Sequence, residues 1–168
     1  MNVALAAANV ECSPMSAVTR AEALALLGAF LAADGHYLAS SAAYGDGGIA
    51  ALSAALDLFL ARPELGFVWL ACVDGATGAQ TVGACVVCYA ISTSRGRLVA
   101  KLDDVTIADG WRGRGIGGAL LESLARELSA RGFGRIDTAC HRDNGEAWRF
   151  YQRHGFVPLN EERIARLL

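Results

Sequence analysis

The spacing of apolar residues changes period along this chain, and each change marks an element. Leu24, Leu27 and Leu31 recur at helical spacing behind Thr19-Arg-Ala-Glu22, which has the separation of a capping box, and Asp34-Gly35 reads as a stop. A second helix is predicted from Ile49 to Ala61, with Leu52, Leu56, Phe59 and Leu60 facing inward and Pro63 beyond its end. The middle of the chain switches to strand-like runs, "GFVWLACV" (66–73), "TVGACVVCYAI" (81–91) and "LVAKLDDVTI" (98–107). The short connections between them, Asp74–Gly78 and "STSRGR", predict an antiparallel meander. Helical spacing returns from Ile116 to Arg131, with Leu120, Leu121, Leu124 and Leu128 as one stripe, Glu122 and Arg126 as an i,i+4 pair, and Gly132 as the stop. "RIDTAC" (135–140) is a strand that a crossover connection makes parallel to the one before the helix. "DNGEAWRFYQRH" (143–154) is a further helix stopped by Gly155, and "FVPLNEERIARLL" gives one or two last strand-like pieces. The architecture is therefore α+β: an antiparallel meander joined to a parallel β-α-β unit and flanked by about four helices.

Composition narrows the function classes. A chain of 168 residues, more than half of them apolar and without repeats or charge blocks, predicts one folded domain spanning 1–168. A net charge of −2 and a pI near 5.9 give no footprint for nucleic acid. The apolar N-terminal "MNVALAAANV" has no basic region ahead of it, the first arginine being Arg20, and no run reaches the ~20 apolar residues of a membrane span. The expectation is a cytoplasmic protein without membrane partners. Five cysteines, an odd number, suit reduced thiols. Cys85 and Cys88 sit three apart in a strand-like run and so point to opposite faces, which suits packing and no metal site.

The chemistry concentrates in "WRGRGIGGALL" (111–121), where glycines bare the backbone just ahead of a helix N-terminus, a place that attracts anions. Gly113 to Gly118 also matches GxGxxG, with Asp137 at about the offset of a ribose-binding acid. The context is wrong for a dinucleotide: Ala108–Arg112 separate the strand from the first glycine, a meander precedes it, and only 50 residues follow Gly118. No Gly-Lys-Ser/Thr follows for an ATP-type loop.

Read from Arg112, the stretch Arg112-Gly113-Arg114-Gly115-Ile116-Gly117 resembles the R/Q-x-x-G-x-G/A signature of the GNAT superfamily of acyl-CoA-dependent N-acetyltransferases. "LDDVTIADGW" resembles the acidic-apolar strand that precedes that signature, and "NGEAWRFYQRHGF" resembles the family's second block, with Asn144, Ala147, Phe150, Tyr151, Gly155 and Phe156 in register. The motifs span about residues 98–157. The resemblance implies a GNAT-like mixed sheet and transfer of the acetyl group of acetyl-CoA to a primary amine by direct attack in a ternary complex. The acceptor, a small molecule or a protein, stays open, and so does a homodimer. A module of the same fold that binds acyl-CoA without turnover is the alternative.

What the resemblance implies for single residues follows from the needs of the reaction. The pyrophosphate of coenzyme A would lie on the backbone N–H groups of Gly113, Arg114, Gly115, Ile116, Gly117 and Gly118, with Arg112 at the mouth. Val105, Thr106 and Ile107 would run beside the pantetheine arm, the Val105 N–H polarising the thioester carbonyl, and Asn144 would contact the cofactor. Tyr151 lies where the family places the phenol that protonates the departing thiolate, although packing beside Phe150 explains it too. Either Asp103 or Asp104 is a candidate base, acting through water; adjacent on a strand, they would face opposite sides, so at most one enters the cleft. His36, Tyr37, Tyr44, His141 and Asp143 are candidate acceptor-side residues, Trp69 and Trp148 candidate core or pocket wall, and no metal is called for.

Overall fold

The computed structural model describes residues 9–45, 47–75 and 78–167, with backbone alone for 40–44. In chain order these form β1 (Val10–Pro14), α1 (Arg20–Ala33), α2 (Gly35–Tyr44), α3 (Gly48–Ala61), β2 (Gly66–Gly75), β3 (Gly78–Ser92), β4 (Arg97–Ile107), α4 (Ile116–Ala130), β5 (Ile136–Thr138) and α5 (Gly145–Arg153). One mixed sheet runs β1-β2-β3-β4-β5, antiparallel throughout except for the parallel β4–β5 pair. The α+β fold with a meander feeding a β-α-β unit is therefore present.

Period-2 alternation along the central strands divides the core into two layers. Phe67, Trp69, Ala71, Val87, Ala100 and Leu102 face α4 and α5, where they meet Leu120, Leu121, Leu124 and Leu128. Val68, Leu70, Ala84 and Val86 face the other way, against Ala23 and Leu27 of α1 and Leu52 and Leu56 of α3. Cys85 packs in the first layer and Cys88 against the second, so the pair points to opposite faces as its spacing requires.

Several expectations need correction. Asp34 ends α1 as predicted, its N–H donating to Phe30 O, but its Oδ1 also accepts the Tyr37 N–H at 2.7 Å to open α2, a helix the apolar spacing does not predict. β1 was hidden in the sequence by its shortness and by an apolar stretch on its N-terminal side. Thr19 makes no side-chain cap, its hydroxyl accepting the Ser16 N–H at 2.9 Å instead, and Glu22 reaches across to β3 to accept from the Thr81 hydroxyl and N–H. Leu60 is more than a third exposed and lies outside the core. Glu122 is met by His154 Nδ1 at 3.2 Å rather than serving Arg126 as predicted. β5 is three residues long, and residues 156–167 form no strand at all. Residues 1–8 of the 1–10 stretch considered as a leader, and the tip of the 74–78 turn, lie outside the described residues.

Candidate active site

The site begins where the sheet stops pairing. β5 pairs with β4 only from Ala100–Ile136 to Leu102–Thr138, while β4 continues to Ile107. Among the described residues no strand lies beside Asp103–Ile107 on that side, so β4 has an open edge there. A bulge sets what the edge presents. Between Ala84↔Thr106 and Val86↔Asp103, Asp104 and Val105 oppose the single residue Cys85, and Asp104 takes a left-handed φ of 45°. Aspartate tolerates that conformation better than β-branched residues do.

The bulge resets the alternation of backbone groups. The Ala108 N–H donates to Val82 O, so Thr106 also turns toward β3, whereas Val105 and Ile107 turn their N–H and C=O groups toward the open edge. Thr106 is buried and serves as the spacer between them. The Asp104 carboxyl feels the charges of Asp103, Arg163 and Asp34. Burial, with the Asp103 charge as the second cause, pushes the Asp104 carboxyl up to about 6. Asp103 is less enclosed, and its Oδ1 accepts from Arg163 Nη1 at 3.3 Å.

Past Ile107 the chain turns through Gly110, Gly113 and Gly115, whose φ values of 80°, 72° and 80° are costly for any residue with a Cβ. Gly115 is the left-handed N-cap of α4, with no side chain closing the helix end. The first helical bond is Ala119 N–H to Gly115 O, which leaves the N–H groups of Ile116, Gly117 and Gly118 ahead of it. The first turn carries no acidic residue, and two arginines flank it. Arg112 Nε donates to Ile107 O at 3.2 Å, and Arg114 lies over the Trp111 ring at 5.0 Å.

Gly117 and Gly118 have a different task. A Cβ on Gly117 would sit 3.3 Å from Phe150, and one on Gly118 would sit 3.1 Å from His154. Their bareness lets α5 lie against the start of α4. Asn144 opens α5 by accepting the Ala147 N–H on Oδ1 at 3.0 Å, and Gly155 closes it with a φ of 82°. Tyr151 is thereby held between Phe150 and Phe156, at ring separations of 5.3 and 5.2 Å. Burial pushes its phenol up to about 12, with the Thr138 hydrogen bond pulling the other way and Asp103 adding to the rise. The phenol therefore keeps its proton at neutral pH and lies within electrostatic reach of an acid on β4.

The open helix end thus abuts both the bare edge of β4 and the phenol's helix: a Cβ on Gly117 would lie 3.7 Å from Ile107 and 3.3 Å from Phe150, the ring that packs on Tyr151. The cradle suits a diphosphate: N–H donors at a helix end, glycines where side chains would intrude, and cations at the rim. Asp137, the acid at dinucleotide spacing, is instead tied to Arg135 at 2.6 Å. Trp69 is a core residue whose Nε1 donates to Ser123. On the far side of the acids His36 stacks on His141, 5.4 Å between centroids, bringing the start of α2 to the β5–α5 loop. The sequence singled out both histidines without joining them, and Arg163 not at all; the side chain of Tyr44 lies outside the described residues.

Comparison with known proteins agrees with this geometry. Residues 33–156 match the acetyltransferase (GNAT) family. Among solved structures, an acetyltransferase of Trypanosoma brucei is 23% identical, with a TM-score of 0.66 over 95% of this chain and 99% of that one. A ribosomal-protein-alanine N-acetyltransferase of Brucella melitensis biovar Abortus 2308 is 16% identical, with a TM-score of 0.71 over 94% and 99%. An aminoglycoside acetyltransferase from an uncultured soil metagenomic sample, in complex with trehalose, is 15% identical, with a TM-score of 0.65 over 95% and 94%. At these identities the structures speak for the fold.

Proposed function

This chain belongs to the GNAT acetyltransferase family, and we propose on that premise that it transfers the acetyl group of acetyl-CoA to a primary amine by direct attack within a ternary complex. The observation that carries the proposal is the packing of the open α4 N-terminus, at Gly117, against Ile107 on the bare β4 edge and against Phe150 beside Tyr151. Acetyl-CoA supplies an activated thioester. The N–H groups of Ile116, Gly117 and Gly118, with those of the Gly113–Gly115 turn, would hold its pyrophosphate, with Arg112 and Arg114 at the rim. Val105 and Ile107 would offer backbone groups to the pantetheine arm, and the Val105 N–H would stabilise charge gathering on the carbonyl oxygen. Asn144 has its amide oxygen committed to the α5 cap and would give only N–H donors.

Tyr151 would protonate the leaving thiolate, a role its raised pKa suits by keeping the proton available. Asp103, or Asp104 through water, would take the proton of the incoming ammonium. The two relatives named for their acceptors, one for ribosomal-protein alanine and one for aminoglycosides, differ enough that the fold does not choose between them.

The test has two arms. Millimolar CoA or acetyl-CoA should raise the melting temperature of the purified protein, and an amine panel with acetyl-CoA should release free thiol. No stabilisation by either ligand would remove the donor assignment. Stabilisation with no thiol release from any amine, unchanged in Tyr151→Phe, would favour an acyl-CoA-binding module without turnover.

A further inference from the structure

After Gly155 and Phe156 the chain crosses the acceptor side of the acids without forming a helix or strand. Its apolar residues do not hold it down: Val157 and Ile164 are 73% and 91% exposed. It is fastened by two ion pairs and by one contact at its end. Glu162 accepts from Arg142 Nη2 at 2.6 Å in the β5–α5 loop, Arg163 donates to Asp103 on β4, and Leu167 lies against Gly45 at the end of α2. The segment therefore spans the mouth from the β5–α5 loop to α2, with Arg163 at the middle, on a residue proposed above to take the acceptor's proton.

The fastenings are weak by construction. Arg142 and Glu162 are 83% and 77% exposed, and Arg163 and Asp103 are 56% and 40% exposed. Exposed pairs of this kind add little to stability and are screened by salt. A carboxylate already holding a guanidinium is also a poorer seat for another cation. An incoming ammonium has the same charge as Arg163 and needs the same partner.

We propose that residues 157–167 form a strap over the acceptor mouth, and that Arg163 is the resident cation a cationic amine acceptor displaces from Asp103. Arg163 is then a specificity-determining residue: it is exchanged for a cationic amine, and it favours an acceptor carrying a carboxylate. The inference rests on the acetyltransferase reading for its kinetic test and on binding alone for its second test.

With putrescine as acceptor, Arg163→Ala should lower KM about two- to fivefold, the range an exposed ion pair commands, and leave the acetyl-CoA KM unchanged. Arg163→Lys should keep the wild-type value, and γ-aminobutyrate should show no such fall in Arg163→Ala. Glu162→Gln, which loosens the strap without touching Asp103, should move the putrescine KM the same way by a smaller factor. An unchanged or higher putrescine KM in Arg163→Ala, or a lysine variant behaving like alanine, would overturn the proposal. If no amine turns over, amide hydrogen exchange of 157–167 in the CoA-bound protein decides it: faster exchange on adding putrescine supports displacement, and unchanged exchange overturns it. CoA stabilisation, read by melting, separately reports the donor assignment.

Discussion

The two sides of the cleft are held by different means. On the donor side nearly every feature is backbone: a bulge, an unpaired strand edge, three positive-φ glycines and a helix end packed on α5 through two more. On the acceptor side nearly every feature is a side chain from a distant segment, with Asp34 from the end of α1, Asp103 and Asp104 from β4, His36 on His141, and Arg163 from the last residues. Backbone geometry is stiff, so a substitution there should be felt as loss. Exposed side-chain pairs exchange readily, and substitutions there should retune.

The contrast is broken most severely at Gly117. Gly117→Val places a branched side chain against Phe150 and over the diphosphate cradle, and should weaken CoA binding at least about a hundredfold, as binding calorimetry would show. If CoA still bound normally, the donor side would not be the stiff half of the molecule.

Tyr151→Phe comes next, with kcat expected to fall about a hundredfold and the acetyl-CoA KM little changed. Because burial holds the phenol at about 12, the wild-type rate should show no alkaline limb from Tyr151 below pH 10. A limb near pH 8 that vanished in the phenylalanine variant would remove this assignment.

The smallest effect is one of stability. The Asp104 carboxyl, raised in the folded state to about 6 from an ordinary 3.8, binds more protons folded than unfolded between those values. Its contribution therefore favours folding at low pH and is lost as pH rises through 6. Asp104→Asn, which suits the left-handed backbone, should be more stable than wild type by about 1–3 kcal/mol at pH 7.5. The gain should disappear below pH 4, and denaturation curves at both pH values measure it. A gain constant with pH would mean that Asp104 is not the strained group on the acceptor side.

The same contrast decided what could be read from the sequence. Gly113 and Gly115 advertise the cradle because a left-handed backbone requires glycine, and the Leu120–Leu128 stripe fixes the helix behind it. Asn144 and Gly155 bracket α5 through caps that need particular residues. The bulge at Asp104 left no such mark, since aspartate can hold a positive φ without announcing it. Asp34 was legible as a stop but not as a stop and a cap together. Arg163 acts on a residue 60 positions away, and no local pattern encodes that distance. Residues 156–167 show strand-like composition, yet β5 is too short to offer them a partner.

The unpaired edge of β4 also bears on how this protein survives without its donor. A strand edge with no neighbouring strand is a template on which another polypeptide can assemble, and aggregation begins at such places. Asp103 and Asp104 stand at the start of that edge, where two neighbouring carboxylates discourage a second strand from joining. A pantetheine arm lying along Val105 and Ile107 would cover the remainder. Solubility on storage should therefore track donor occupancy, and the protein should keep best when CoA is left in the buffer.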